Sequence, residues 1–277
     1  MSELRYKLTN DILFKMLFTQ HQNLLKQLVS ELLSIPIESI MDFIITNPDM
    51  PPEVIGDKYC HLDINMKVNS CRIDLEIQVE RESDYKERTL YYWARDYSSA
   101  LQKNMKYSEL PRTIIVSILD KPLFVCGEFH SEFQPLEVRR GELLTNTMSL
   151  QYFELSKLPE VSGPDDKLKL WLSLFKAKTT EDLEKIIAMG VPVMQEAINA
   201  YQTLSEADRF RELERTRHFA EADKASALAS ARDEGRAMGR DEGRAMGYRE
   251  AEERYRESEE RYRDEIARLK ARLGEIN

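Results

Sequence analysis

Asp63 and Glu76 are the side chains in this sequence whose spacing can do chemistry. They lie in residues 59–80, YCHLDINMKVNSCRIDLEIQVE, where two strict alternations meet at a short polar turn. Cys60, Leu62, Ile64, Met66 and Val68 share one parity before the turn, and Cys71, Ile73, Leu75, Ile77 and Val79 share one after it. A period of two is the signature of half-buried strands, so the segment reads as a β-hairpin. With Asn69 and Ser70 as the loop, Val68 faces Cys71. The register then runs back through Lys67 with Arg72, Met66 with Ile73 and Asn65 with Asp74 to Asp63 with Glu76. Two carboxylates are thereby set opposite each other with Cβ atoms about 4.5–5.5 Å apart, where like charges destabilise a sheet. A divalent cation compensates, because hard oxygen ligands on two rigid strands suit Mg²⁺, which binds at about 2.0–2.1 Å and leaves positions for water and substrate phosphate. Gln78 lies on the same face, opposite His61. The chemistry such a site permits is a metal-bound water held beside a substrate phosphate. A plainer reading competes with it: an amphipathic hairpin whose outer face carries acids, although Asp63, Asp74, Glu76 and Glu80 place acids where strand formers are expected.

The elements that must position these residues are legible on either side. Residues 8–33 read as one helix, capped by Asn10 or Thr9, with Leu13, Phe14, Leu17, Phe18, Leu24, Leu25, Leu28 and Leu32 on its apolar face. Asp11 falls in its first turn, where the helix dipole favours an acid whatever its function. Residues 36–47 are a turn and a strand, and NPDMPPEVIGD is a proline-rich loop leading to the hairpin. Residues 84–105 read as a helix with Leu90, Trp93, Ala94, Tyr97 and Leu101 on one face. Arg81, Lys86, Arg88, Arg95, Lys103 and Lys106, interleaved with Tyr91 and Tyr92, form either a phosphate-contacting strip or a solvated face with snorkelling stems. TIIVSIL, residues 113–119, is apolar throughout and reads as a strand buried on both faces, completing a βαβ unit and hence a parallel step in a mixed sheet. Residues 122–138 and 149–155 supply further strands or extended edge pieces. Residues 165–178, 180–189 and 192–204 read as three helices, the last with Pro192 at its start.

Asp63 followed by Glu76-Ile77-Gln78 resembles the active-site signature of the PD-(D/E)XK nuclease superfamily, with Gln in place of the usual Lys. TNDILFKMLF near the start, Arg88 and Tyr91-Tyr92 after the hairpin, and LQYFEL followed by a Trp-containing helix narrow the resemblance. They point to the bacterial recombination-promoting nucleases, or PD-(D/E)XK nuclease-family transposases, over roughly residues 5–215. The resemblance implies an α/β restriction-endonuclease-like core, a mixed central sheet with flanking helices. It also implies cleavage of DNA linked to recombination or transposition, with Mg²⁺ or Mn²⁺ held by Asp63 and Glu76. Gln78 is then the third catalytic residue, and Asp11 and Arg88 match positions beside the site. A lysine two residues after the Glu would help activate the water. Gln78 can orient a water through its amide but brings no positive charge.

The chain's 42% hydrophobic residues can fill a core, while 32% charged residues exceeds the usual quarter and indicates an exposed helical part. The net charge of −9 is unusual for a DNA-binding protein. Residues 205–277 hold 19 acidic and 17 basic residues and so carry −2 of it, leaving −7 for residues 1–204. Any DNA contact must therefore come from a local basic strip. No apolar run approaches the roughly 18–20 residues of a membrane span, and MSELRYKLTND has no apolar signal core, so a cytoplasmic protein without membrane partners is expected. Cys60 and Cys71 belong to the apolar faces of the hairpin, Cys126 lies in another apolar stretch, and none has zinc-site spacing. There is no Ser-His-Asp set, P-loop or dinucleotide fingerprint.

Three regions follow: a nuclease-like domain over 1–160, a helical extension over 161–204 and a charged helical tail over 205–277. The tail repeats RDEGRAMG at 232–239 and 240–247, and Tyr248, Tyr255, Tyr262, Leu269 and Ile276 recur every seven residues. It is either a coiled-coil seam through which the protein self-associates or a single charged helix. Two alternatives to a working endonuclease stay open. One is a nuclease fold that no longer cuts and acts as a DNA-binding or assembly module, favoured by Gln78 and the acidic core. The other is an interaction protein in which the tail matters most.

Overall fold

The computed structural model describes residues 2–46, 49–50, 60–61, 63–80 and 82–274. Tyr59, Leu62, Arg81, Ile276 and most of the proline-rich loop fall outside the described residues. The chain opens with α1 (Asp11–Gln20) and α2 (Gln22–Leu32), then β1 (Phe43–Ile45), β2 (Asp49–Met50), β3 (Cys60–His61), β4 (Ile64–Val68) and β5 (Cys71–Gln78). α3 (Tyr85–Ser99) leads to β6 (Arg112–Leu119), β7 (His130–Phe133) and β8 (Met148–Glu154), and α4 (Lys167–Lys176), α5 (Thr180–Ala188), α6 (Pro192–Glu206) and α7 (Asp208–Gly274) close the chain. Six strands form one mixed sheet in the order β1-β4-β5-β6-β8-β7. β5, β6 and β8 are parallel, and the outer pairs are antiparallel.

The hairpin has the register read from its alternation: Val68 pairs with Cys71, Lys67 with Arg72, Met66 with Ile73 and Asn65 with Asp74. The βαβ step is also present, with β5 joined through α3 to a parallel β6. Two features of the hairpin differ from expectation. First, both of its faces are covered: Ile64, Met66, Ile73 and Leu75 point into the main core, yet Asn65, Asp74 and Glu76 on the other face are 5%, 0% and 6% exposed. The buried Asp96 of α3 reaches that face and pairs with Arg72 of β5. Second, the leading strand breaks at Asp63, and β3 pairs with β2, so His61 faces Asp49 rather than Gln78. The Asp63 carboxylate takes the Ile77 N–H at 2.7 Å, occupying a donor that a continuing ladder would have used.

The helix expected over residues 8–33 is two helices. His21 leaves helical geometry at φ −115°, ψ 69°; its N–H closes α1 on Leu17 and its carbonyl starts α2 by accepting from Leu24 and Leu25. Asn10 supplies the N-cap of α1, accepting from the Leu13 N–H at 3.0 Å. α3 stops at Ser99, short of residue 105, where the Ser98 and Ser99 hydroxyls bond back to Arg95 and Asp96 carbonyls and compete with the helix. Of residues 122–138 only His130–Phe133 is strand. Cys126 is exposed, unlike the apolar setting its neighbours suggested.

α1, α2, α4, α5 and α6 bury their leucines against one face of the sheet in a single core. Its centre is aromatic, with the Phe14 and Phe18 rings 5.1 Å apart and Trp171 at 6.1 Å from Phe18. A smaller cluster of Tyr85, Ile115, Leu119, Leu150 and Tyr152 fills the other face beneath α3. Residues up to Leu213 form one compact unit, which includes the first turns of α7: Phe210 is buried and packs edge-on against Tyr6 at 4.8 Å. Residues from Glu214 onward form a second unit, a helix laced by Glu250–Arg254, Glu252–Arg256 and Glu259–Arg263 pairs at 4.0, 3.6 and 3.5 Å. Tyr248, Tyr255, Tyr262 and Leu269 are exposed along it.

A chain ended after Leu213 is expected to unfold cooperatively at the same temperature as the full protein, whereas one ended after Leu204 should melt lower because Phe210 is lost. Asp96→Ala strands the partly buried Arg72 guanidinium and should destabilise the fold by about 3–5 kcal/mol. Thermal melts check the truncations and denaturant titration the substitution; an unchanged midpoint for Asp96→Ala would remove the ion pair from the forces holding α3.

Candidate active site

Asp63 and Glu76 meet where β4 begins and β5 nears its end, and each carboxylate accepts a backbone N–H from the other's strand. The Asp63 N–H donates to Glu76 Oε1 at 3.1 Å, and the Ile77 N–H donates to Asp63 Oδ2 at 2.7 Å. These crossed bonds hold two carboxylates face to face with little access to water. Burial, then the opposing Asp63 charge, pushes the Glu76 carboxyl up to about 8. Burial also raises Asp63; the Ile77 N–H and Lys15 hold it down, while the charge of Asp11 raises it. Two like charges this close in a dry site cannot both ionise without a compensating cation.

One such cation comes from α1. Lys15 lies one turn beyond Asp11 on the same helix face, and its ammonium sits 3.4 Å from Asp63 Oδ1. Reading the sequence for acids alone missed Lys15; its i, i+4 spacing from Asp11 was the available signal. Asp11 acts on Asp63 through its charge, so the helix start belongs to the site's electrostatics.

Gln78 and Arg88 are joined. Arg88 Nη2 donates to Gln78 Oε1 at 2.8 Å, and Arg88 Nη1 pairs with Glu82. The Gln78 amide nitrogen donates to the Glu80 carbonyl at 2.8 Å and to Glu82 Oε1 at 3.3 Å, which takes both its hydrogens. Arg88 also lies over the Tyr85 ring at 4.8 Å and the Tyr92 ring at 5.8 Å. Its charge lowers the Glu76 carboxyl, which ties it to the carboxylate pair. Glu82 was not singled out by its sequence position. Lys86 stands over the Phe124 ring at 4.8 Å.

A third acid sits beneath the pair. Asp74 is fully buried and accepts from the Asn65 amide, and Asn65 in turn accepts from the Thr46 hydroxyl. The other Asp74 oxygen has no partner among the described residues, and burial with the charges of Asp96 and Glu76 pushes this carboxyl well above the usual range.

Among the described residues no group of three or more His, Cys, Asp or Glu side chains is placed to hold a metal ion. Asp63 and Glu76 would offer a cation two protein ligands. That donor set fits a hard divalent cation that keeps several waters, and such a cation would relieve the repulsion that lifts both carboxyls.

A mixed sheet flanked by helices, presenting an opposed Asp and Glu-x-Gln at the end of its central hairpin, defines a restriction-endonuclease-like α/β protein of nuclease type. Residues 8–231 match the model of the PD-(D/E)XK nuclease family transposases, and the chain belongs to that family. Nucleases of this kind generally use divalent metal ions. Comparison with curated proteins and with solved structures gave no match.

The raised Glu76 carboxyl makes the metal-free protein sensitive to pH. Between its ordinary value of 4.5 and about 8, folded Glu76 keeps a proton that the unfolded chain has released. The folded state then binds more protons, so stability falls as pH rises through that window. Thermal melts of metal-free protein from pH 5 to 8 should show the decline, and Glu76→Gln should make it shallower, Asp63 and Asp74 supplying the rest; an equally steep decline in the variant would place its origin elsewhere.

Proposed function

We propose that this protein is a metal-dependent DNA endonuclease that hydrolyses phosphodiester bonds in the service of recombination or transposition. The observation that carries the reading is the crossed, buried pairing of Asp63 with Glu76. Nothing in the packing of an ordinary hairpin calls for two carboxylates there, and their mutual repulsion is what a divalent cation offsets.

In this reading Asp63 and Glu76 hold Mg²⁺ or Mn²⁺. The bound cation supplies neutralisation of charge at the attacked phosphate and lowers the pKa of water. The oxygen of water bonds to phosphorus, one P–O ester bond breaks, and a proton from the water ends on the leaving sugar oxygen. Gln78 acts by position, since its amide is spent on Arg88, Glu80 and Glu82. Arg88 lies beside the carboxylates as a phosphate contact, and Arg95 and Lys86 of α3 extend the positive strip that DNA needs on a core carrying a net −7. Asp11 tunes Asp63 through its charge. We place the protein in the bacterial cytoplasm, with DNA as its partner and α7 as the element through which copies associate.

Metal-free full-length protein is titrated with Mg²⁺ and Mn²⁺ by calorimetry, and supercoiled plasmid is then incubated with protein and metal. Asp63→Ala and Glu76→Ala should each lower cleavage on the order of 10³-fold, with loss of metal binding and an unchanged far-ultraviolet dichroism spectrum. Cleavage that survives either substitution sinks the mechanism. Metal binding without cleavage under any condition would instead favour a nuclease fold that binds DNA without cutting it, the reading that the engaged Gln78 amide supports.

A further inference from the structure

The residue two places after Glu76 cannot supply the positive charge that a lysine would bring there. Gln78 is neutral, and both of its amide hydrogens are already donated within the chain. The pair nevertheless has an ammonium against it. Lys15 reaches in from α1 to within 3.4 Å of Asp63 Oδ1, with its side chain 27% exposed. Its charge lowers the carboxyls of both Asp63 and Glu76. The Asn10 cap at the start of α1 and the burial of Leu13, Phe14, Leu17 and Phe18 fix the helix, so the position of Lys15 follows from the core rather than from a mobile loop.

Asp63 Oδ1 is thus claimed twice. It is the oxygen that faces Lys15, since Oδ2 is occupied by the Ile77 N–H, and it is the oxygen Asp63 has left to offer a metal. A metal and an ammonium cannot share one carboxylate oxygen without strong repulsion. Lys15 has a long flexible stem and a partly exposed side chain, so it is the partner able to move.

We propose that Lys15 is the charge this site lacks at position 78. It neutralises Asp63 while no metal is bound, and when a divalent cation takes Oδ1 it is released toward the attacked phosphate, where it stabilises the negative charge that builds during hydrolysis. The second half rests on the endonuclease reading; the first half does not. No covalent bond to Lys15 is involved.

The two halves give opposite signs in one variant. Full-length wild type, Lys15→Met and Lys15→Arg are titrated with Mn²⁺ by calorimetry without DNA, and single-turnover plasmid cleavage is measured at saturating Mn²⁺. Lys15→Met should bind Mn²⁺ on the order of tenfold tighter, because its competitor for Asp63 is gone, and should cut on the order of 100-fold more slowly. Lys15→Arg keeps the charge and should stay within a few-fold of wild type in affinity while recovering part of the rate. A lysine that merely held Asp63 in place would lose affinity and rate together. Weaker or unchanged Mn²⁺ binding by Lys15→Met, with its melting temperature retained, overturns the proposal, as does cleavage at the wild-type rate. If wild type cuts no DNA in any metal, the endonuclease reading fails on its own, and tighter Mn²⁺ binding by Lys15→Met still supports Lys15 as the cation competing for Asp63.

Discussion

Two carboxylates held face to face inside a sheet impose a cost that the surrounding structure must meet. Taking a charge out of water is expensive, and a second like charge adds to it. The chain meets this with two backbone N–H groups on the carboxylates, an ammonium from α1 and the nearby guanidinium of Arg88. Each of these depends on an element being where it is. β4 must end its pairing at Asp63 so that the carboxylate can turn onto β5. α1 must be capped and buried so that Lys15 arrives, and α3 must begin just after Glu82 so that Arg88 can close on Gln78.

The same face of the sheet shows how far the demand extends. Asp74 on β5 and Asp96 on α3 are completely buried acids between sheet and helix, one bonded through Asn65 to Thr46 and the other paired with Arg72. A structure built for stability alone would fill that layer with apolar side chains, as it does a few residues away around Tyr85, Ile115 and Tyr152. The polar half lies on β4 and β5 and the apolar half on β6 and β8. α3 therefore has two jobs, covering a core and sealing a network of charge.

The remainder of the molecule divides by the same logic of burial. α4, α5 and α6 share their leucines and Trp171 with α1 and α2, and that shared core gives α1 the rigidity its lysine requires. Beyond Leu213 no residue whose burial is described lies at comparable depth, and the helix persists on side-chain pairs one turn apart. Such pairs contribute only about 0.2–0.5 kcal/mol each, enough to favour a helix over coil when many act in series.

The amino-acid pattern by itself determined the hairpin, its register and the opposition of Asp63 and Glu76, because a period of two with a short polar turn admits one arrangement in which apolar residues face apolar ones. It determined the parallel step as well, since a wholly apolar run after a helix belongs inside a sheet. It was enough, too, to find the three helices that follow and to narrow the first cap to Asn10 or Thr9, of which the fold uses Asn10. Only the tertiary structure decided that the acidic face is buried, because that depends on α3 lying across it. It alone broke the leading strand at Asp63 and the first helix at His21, where side-chain and backbone bonds outcompete the regular ladder. It also decided which charges reach the carboxylates. Lys15 and Glu76 are far apart along the chain, and no local pattern carries the distance between a helix face and a strand that meet only through a common core.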